Sequence, residues 1–239
     1  MNKSEIVFLD GPHSRFKELM FAFQTMVELI KGFRALHFIG PCITIFGSAR
    51  FKEDHPYYAL TREASAAFAR LGFTIMTGGG PGLMEAANRG ARDVGGRSVG
   101  CNIQLPVEQS PNPYLDKWII MKHFFLRKVL LVKYSFAFVV MPGGYGTLDE
   151  FFEALTLIET HKIKNFPVII FGMAYHKELQ AHIEMMKANG TIGEGDTNLY
   201  IVTDSIEEAT ALIVEKSIKQ YGLKPKSRVK PFGWLFERA

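Results

Sequence analysis

Phe136-Ala137-Phe138-Val139-Val140-Met141-Pro142-Gly143-Gly144-Tyr145-Gly146-Thr147-Leu148-Asp149-Glu150 decides the fold class. Its apolar opening, Phe136 to Met141, reads as a strand buried on both faces, the habit of a parallel sheet covered by helices. Pro142 and the glycines break it at once, and a helical pattern follows through Thr160. A strand that turns directly into a helix is half of a βαβ unit.

The unit recurs outward in both directions. Upstream, Ile43–Phe46 ends in Gly47-Ser48-Ala49-Arg50 before a helical run from Tyr57 to Leu71, stopped by Gly72. Phe73–Met76 leads through Thr77-Gly78-Gly79-Gly80-Pro81-Gly82 into a helix over Leu83–Asp93, and Gly95-Gly96 precedes a strand over Ser98–Ile103. A proline-rich stretch, Pro106 to Pro113, connects to Trp118–Met121, and Phe124–Tyr134 is helical. Downstream, Val168–Phe171 pairs with a helix over Tyr175–Lys187, and Tyr200–Val202 with Ile206–Lys219. The expected architecture is α/β: one doubly wound domain with a mainly parallel sheet and an extra N-terminal helix.

That extra helix is Ser14–Leu36. Phe16, Leu19, Met20, Phe23, Met26, Val27, Ile30 and Phe33 recur at spacings of three and four, and Phe21, Ala22 and Leu29 widen the stripe. So much apolar area is expected to pack on the domain or on a second subunit, and a homo-oligomer is expected. The domain reading is a helical extension over 1–40, the α/β domain over 41–222, and a basic tail over 223–239.

Composition narrows the function classes. With 47% hydrophobic residues in 239, the chain is globular, and no apolar run approaches the roughly 20 residues of a membrane span. Met1–Asp10 has no signal-peptide pattern, so the cytoplasm is the expected location. The formal charge of +4 comes largely from Lys216–Arg238, which reads as a solvated terminus, so nucleic acid is not expected as a partner. Cys42 and Cys101 sit in apolar strands and read as small core residues.

In an open α/β sheet, ligands bind beyond the carboxyl ends of the strands. Two glycine loops, Gly78–Gly82 and Gly143–Gly146, occupy that location, each opening a helix whose free amides and dipole favour an anion. A phosphorylated ligand follows. The first strand lacks GxGxxG, the second loop has Asp149 where its third glycine belongs, and no GxxxxGK[ST] occurs. Gly96-Arg97-Ser98-Val99-Gly100 matches GxSxG, but Ser98 begins a strand instead of following one. The seven histidines show no metal-binding spacing, and neither a metal nor a cofactor is expected.

Asp149, Glu150 and Glu153 lie in the first turns of the helix after the second loop. The helix dipole is expected to keep Glu150 ionised, as a base or an electrostatic stabiliser and not as an acid. The Phe124–Tyr134 helix is apolar nearly all round and is expected to be buried. Arg127-Lys128 inside it therefore needs an anion or a carboxylate nearby.

Pro142-Gly143-Gly144-Tyr145-Gly146-Thr147-Leu148-Asp149-Glu150, preceded by Arg127-Lys128, resembles the PGGxGTxxE signature of the LOG (Lonely Guy) family of phosphoribohydrolases, sometimes labelled lysine decarboxylases. Gly78-Gly79-Gly80-Pro81-Gly82-Leu83-Met84 resembles the family's other glycine loop, and Glu108-Gln109-Ser110-Pro111-Asn112-Pro113-Tyr114 its longer bacterial branch. The match spans about Ile43–Ile170 and implies a Rossmann-like domain. By this resemblance, the reaction is hydrolysis of a purine riboside 5′-monophosphate, of adenine or a cytokinin, to free base and ribose 5-phosphate. The family's catalytic pair maps onto Arg127 and Glu150. Substrate binding maps onto Gly79, Gly80, Met84, Lys128, Gly143, Gly144, Tyr145, Gly146, Thr147 and Asp149, with Glu108 and Thr156 at the ribose and phosphate regions. Pyridoxal phosphate chemistry on Lys128 or Lys133 has no other support in the sequence. Two alternatives remain: a nucleotide or molybdenum-cofactor carrier, which needs the loops but not Arg127 with Glu150, and a DNA-binding protein on a similar core.

Overall fold

A computed structural model describes residues 14–105, 110–164 and 166–219. The chain enters through helix α1 (Arg15–Leu36), then β1 (Cys42–Phe46), α2 (Pro56–Arg70), β2 (Thr74–Thr77), α3 (Leu83–Asp93), β3 (Ser98–Ile103) and β4 (Lys117–Met121). It continues through α4 (Phe124–Tyr134), β5 (Ser135–Val140), α5 (Tyr145–Glu159), β6 (Val168–Ile170), α6 (Lys177–Ala188), β7 (Ile201–Val202) and α7 (Ile206–Ile213). The expected final helix is thus two pieces, since a π-helical turn takes over at Val214–Lys219.

The seven strands form one parallel sheet in the order β4-β3-β2-β1-β5-β6-β7. β1 is the hinge of the winding: Thr44 pairs with Met76 of β2 on one side and with Phe138 of β5 on the other. Side chains alternate along each strand, so every central strand feeds two cores. Phe46, Met76, Cys101, Phe138, Val140 and Ile170 join α1, α4 and α5 on one face. Ile43, Ile45, Ile75, Val139 and Ile169 meet Phe68 of α2 and Ala86, Ala87 and Ala91 of α3 on the other. Both cysteines are buried within the sheet. The architecture is the expected α/β one, all parallel.

Local signals set the helix ends. His55 Nδ1 accepts the amide of Tyr57 and Pro56 occupies the first helical position of α2. Ser205 Oγ accepts the Glu208 amide at the start of α7.

One sequence expectation is corrected on the α4 side. Helix α4 is not buried all round: Phe124, Phe125 and Val129 are about half exposed, while Leu126, Leu130 and Leu131 face the core. The stripe on α1 also divides. Leu29, Phe33 and Leu36 pack into the core and Tyr134 donates its hydroxyl to Phe33 O, but Phe16, Leu19, Met20, Phe23, Met26 and Ile30 stand exposed. A single domain has more helical apolar surface here than one sheet face covers. No helix among the described residues is long and apolar enough to cross a membrane.

Candidate active site

β1 and β5 are neighbours in space although their helices depart in opposite directions along the sheet, so a crevice opens beyond their carboxyl ends. Three turns meet there. The Ser48 amide donates to Pro142 O at 3.0 Å, and Ser48 O accepts the Leu83 amide at 2.9 Å. The Gly47–Arg50 turn is therefore wedged between the two glycine loops. Gly82 makes this possible: its φ is +69°, and a Cβ there would lie 2.5 Å from Ser48 O. Sequence reasoning missed Ser48, because its place depends on strand order.

The two glycine loops differ in what their polar groups do. In the first, the Gly79 amide donates to Thr77 Oγ1 at 2.9 Å, while Gly79 O and Gly80 O accept from the backbone and side-chain amides of Asn112. Thr77, Asn88, Ser98 and Asn112 form a buried hydrogen-bonded set behind this loop. In the second, Gly144, Tyr145 and Gly146 are exposed, and Tyr145 is 95% exposed. Their amides lie too early in α5 for intrahelical acceptors and have none among the described residues. Gly143 lies tight against the helix: a Cβ there would stand 2.2 Å from Thr147 Oγ1.

The catalytic candidates converge beside these turns. Arg127 on α4 donates Nε–H to Cys101 O of β3 at 2.9 Å and Nη1–H to Glu150 Oε1 at 3.3 Å. A Cβ on Gly78 would lie 2.8 Å from Met84 Sδ and 3.2 Å from Arg127 Nη2, so the first loop and Met84 border the guanidinium. Glu150 is 2% exposed. Burial pushes its carboxyl up to about 7, with Arg127 and Lys128 opposing and Glu153 and Asp149 assisting. The expectation that the helix dipole alone sets its charge is corrected: the carboxyl titrates near neutrality. Glu150 lies past the first turn of α5, where the dipole has faded, and desolvation prevails.

Lys128 reaches Asp149 and Glu153, each at 2.8 Å, and ties α4 to α5. Burial lowers its pKa, but the two carboxylates outweigh burial and leave it raised. The carboxylates that the Arg127-Lys128 pair required are therefore on α5. Thr156 stands exposed farther along α5, its hydroxyl donating to Phe152 O, and is not brought into this group. Glu108 lies outside the described residues.

A protein-family model described as "Possible lysine decarboxylase" matches residues 84–213, more than half of the chain. The chain belongs to this family, the LOG family. Among LOG relatives, the cytokinin riboside 5′-monophosphate phosphoribohydrolase of Rhodococcoides fascians is 29% identical over 174 residues, 72% of this chain and 88% of that protein. The enzyme of the same name from Mycobacterium tuberculosis (strain ATCC 25618 / H37Rv) is 31% identical over 155 residues, 63% of this chain and 81% of that one. Among solved structures, the molybdenum cofactor binding protein of Rippkaea orientalis superposes with a TM-score of 0.55 at 23% identity, over 74% of this chain and 96% of that one, a likeness of fold. Nucleotide 5′-monophosphate hydrolases are thus among this LOG protein's relatives.

Proposed function

We propose that this protein hydrolyses the N-glycosidic bond of a purine riboside 5′-monophosphate, giving free base and ribose 5-phosphate. One observation carries the reading: the buried Arg127–Glu150 pair sits one helical turn from the open amides of Gly144–Gly146. A 5′-phosphate on those amides would anchor the nucleotide remotely from the bond that breaks, which fixes the ribose near Glu150. As the bond from C1′ to the base nitrogen lengthens, its electron pair leaves with the base and positive charge grows on the ribose. The Glu150 carboxylate stabilises that charge and takes a proton from the water whose oxygen bonds to C1′; the departing base takes up a proton from solvent, and Glu150 returns its own to solvent afterwards. A carboxyl titrating near neutrality is well matched to proton transfer at physiological pH. Arg127 orients it.

The same geometry argues against amine chemistry on Lys128. A Schiff-base lysine needs a lowered pKa, and Lys128 is held protonated between two carboxylates. A carrier of the kind named for the Rippkaea orientalis structure is the second reading. It uses the open turn but gives a buried, neutral-titrating carboxyl no task. Incubation with AMP and with isopentenyl-AMP, followed by chromatography of the bases, tests the choice. Release of adenine or N6-isopentenyladenine supports hydrolysis and identifies the preferred base. Nucleotide binding without base release supports the carrier.

The reading includes a homo-oligomer. The exposed apolar side chains of α1 and α4 lie outside the helix that carries Arg127 on its inner side. Taking about half of each side chain's area, nine such residues offer an apolar face close to the ~800 Å² per partner of a standard interface. A second copy laid there would close the flank of the site to water.

A further inference from the structure

The Pro142–Thr147 turn is braced from the side opposite Ser48 by the segment that follows β6. Gly172, with φ +87°, passes so close to Pro142 that a Cβ there would lie 2.7 Å from Pro142 Cγ. Tyr175 donates its hydroxyl to Gly143 O at 3.0 Å. Two successive residues of the turn, Pro142 and Gly143, thus meet one short segment. That segment is itself fixed: Asp204 Oδ1 accepts the Gly172 amide at 2.6 Å and the Met173 amide at 3.2 Å, and the His176 amide donates to Gly172 O at 3.0 Å.

Tyr175 differs from the other braces in what it controls. Gly143 O and the Gly144 N–H belong to one planar peptide and point in opposite directions. Whatever pins the carbonyl therefore aims the amide. Gly144 O accepts the Thr147 and Leu148 amides at 3.0 and 3.1 Å, which holds the next peptide, but Gly144 is exposed, with nothing within 4 Å of a Cβ there, and neither of those bonds reaches the Gly143–Gly144 peptide. Gly143 packs against Thr147, but neither glycine brings a side chain to the peptide between them, so its orientation depends on what bonds its carbonyl. Among the described residues, no other side chain hydrogen-bonds the backbone of the turn.

We propose that Tyr175 is a positioning residue of the anion-binding turn, holding the Gly143–Gly144 peptide so that the Gly144 amide faces the phosphate of the substrate. This rests on the phosphate reading given above. Tyr175 is half exposed and touches Tyr57 edge to face at 6.4 Å, so Tyr175→Phe keeps the ring contact and removes only the hydroxyl.

The test is calorimetric titration of wild type and Tyr175→Phe with ribose 5-phosphate and with inorganic phosphate, beside AMP kinetics and thermal melting. Tyr175→Phe is expected to bind ribose 5-phosphate about 2- to 10-fold more weakly, the scale of one net hydrogen bond. KM for AMP should rise by a similar factor while kcat and the melting temperature stay near wild type; a merely structural role would move the melting temperature and kcat instead. Unchanged ribose 5-phosphate affinity overturns the proposal. If wild type binds ribose 5-phosphate but cleaves no nucleotide, the hydrolase reading fails and the affinity ratio still decides this one. If wild type binds neither phosphate compound, both fall together.

Discussion

Arg127 and Glu150 stand 23 residues apart in the chain and 3.3 Å apart in space, on helices α4 and α5. The guanidinium does not hold the carboxylate down, because one of its donors is engaged by Cys101 O and only one long hydrogen bond reaches Glu150. Burial therefore prevails, and the carboxyl titrates at about 7 instead of near 4.5.

Replacing Glu150 by Gln keeps the shape and removes the charge. Turnover of AMP is expected to fall by roughly 10²-fold or more, on the scale of a lost general base. Ribose 5-phosphate binding should survive, since the amides of Gly144–Gly146 are untouched. Wild-type turnover in Glu150→Gln would take the catalytic assignment away from this residue.

The pH dependence of catalysis follows from the same group. If the ionised carboxyl accepts the proton of water, kcat/KM should rise tenfold per pH unit on the acid side and level off above about pH 7. A profile that falls through that pH would assign Glu150 the role of acid.

Stability should run the other way. The folded-state pKa of Glu150 lies above its ordinary value, so between about 4.5 and 7 the folded protein binds more protons than the unfolded chain. Stability contributed by this group is then complete at low pH and declines as pH rises through that window. Glu150→Gln removes the decline. It should be more stable than wild type at pH 8 by about 1–3 kcal/mol, less what Arg127 loses with its partner, and the advantage should vanish near pH 4. Denaturant melts at the two pH values check the sign.

A pair of alanine substitutions separates steric need from open space. Gly143→Ala drives a Cβ into Thr147 and should abolish ribose 5-phosphate binding, whereas Gly144→Ala meets nothing within 4 Å and should retain it. Equal behaviour of the two variants would show that the turn is not the anchor.

Assembly is checked by light scattering coupled to size exclusion, which should report at least twice 26.9 kDa. Phe23→Asp places a charge on the exposed face of α1 and should shift the protein towards monomer. A wild-type monomer at micromolar concentration would refute the homo-oligomer.

Much of this was legible before the fold. Leu83–Asp93, Ser98–Ile103 and Phe124–Tyr134 have the same ends in the structure as in the sequence, because glycines, a change of period or a polar break mark each boundary. The carboxylate demand of Arg127-Lys128 was also readable, since two cations in an apolar helix need partners. What local pattern does not encode is the meeting of distant turns. The wedge of Ser48 and the brace of Tyr175 depend on β1, β5 and β6 being neighbours, and strand order is a property of the whole chain. The raised pKa of Glu150 escaped for a related reason: its burial is supplied by other elements. The exposed face of α4 escaped because an apolar helix reads alike whether a domain or a second copy covers it.

The carbonyl of Ser48 on the first amide of α3 has a wider consequence. Two glycine-rich turns at the rim of one sheet read alike as text, yet in the first the Gly79 and Leu83 amides are already taken by Thr77 and Ser48. In such a chain one glycine loop gives part of its amide set to a neighbouring turn, and the other leaves its amides open. The number of amides a glycine loop can offer an anion is therefore set by the turn of the neighbouring strand as well as by its own sequence.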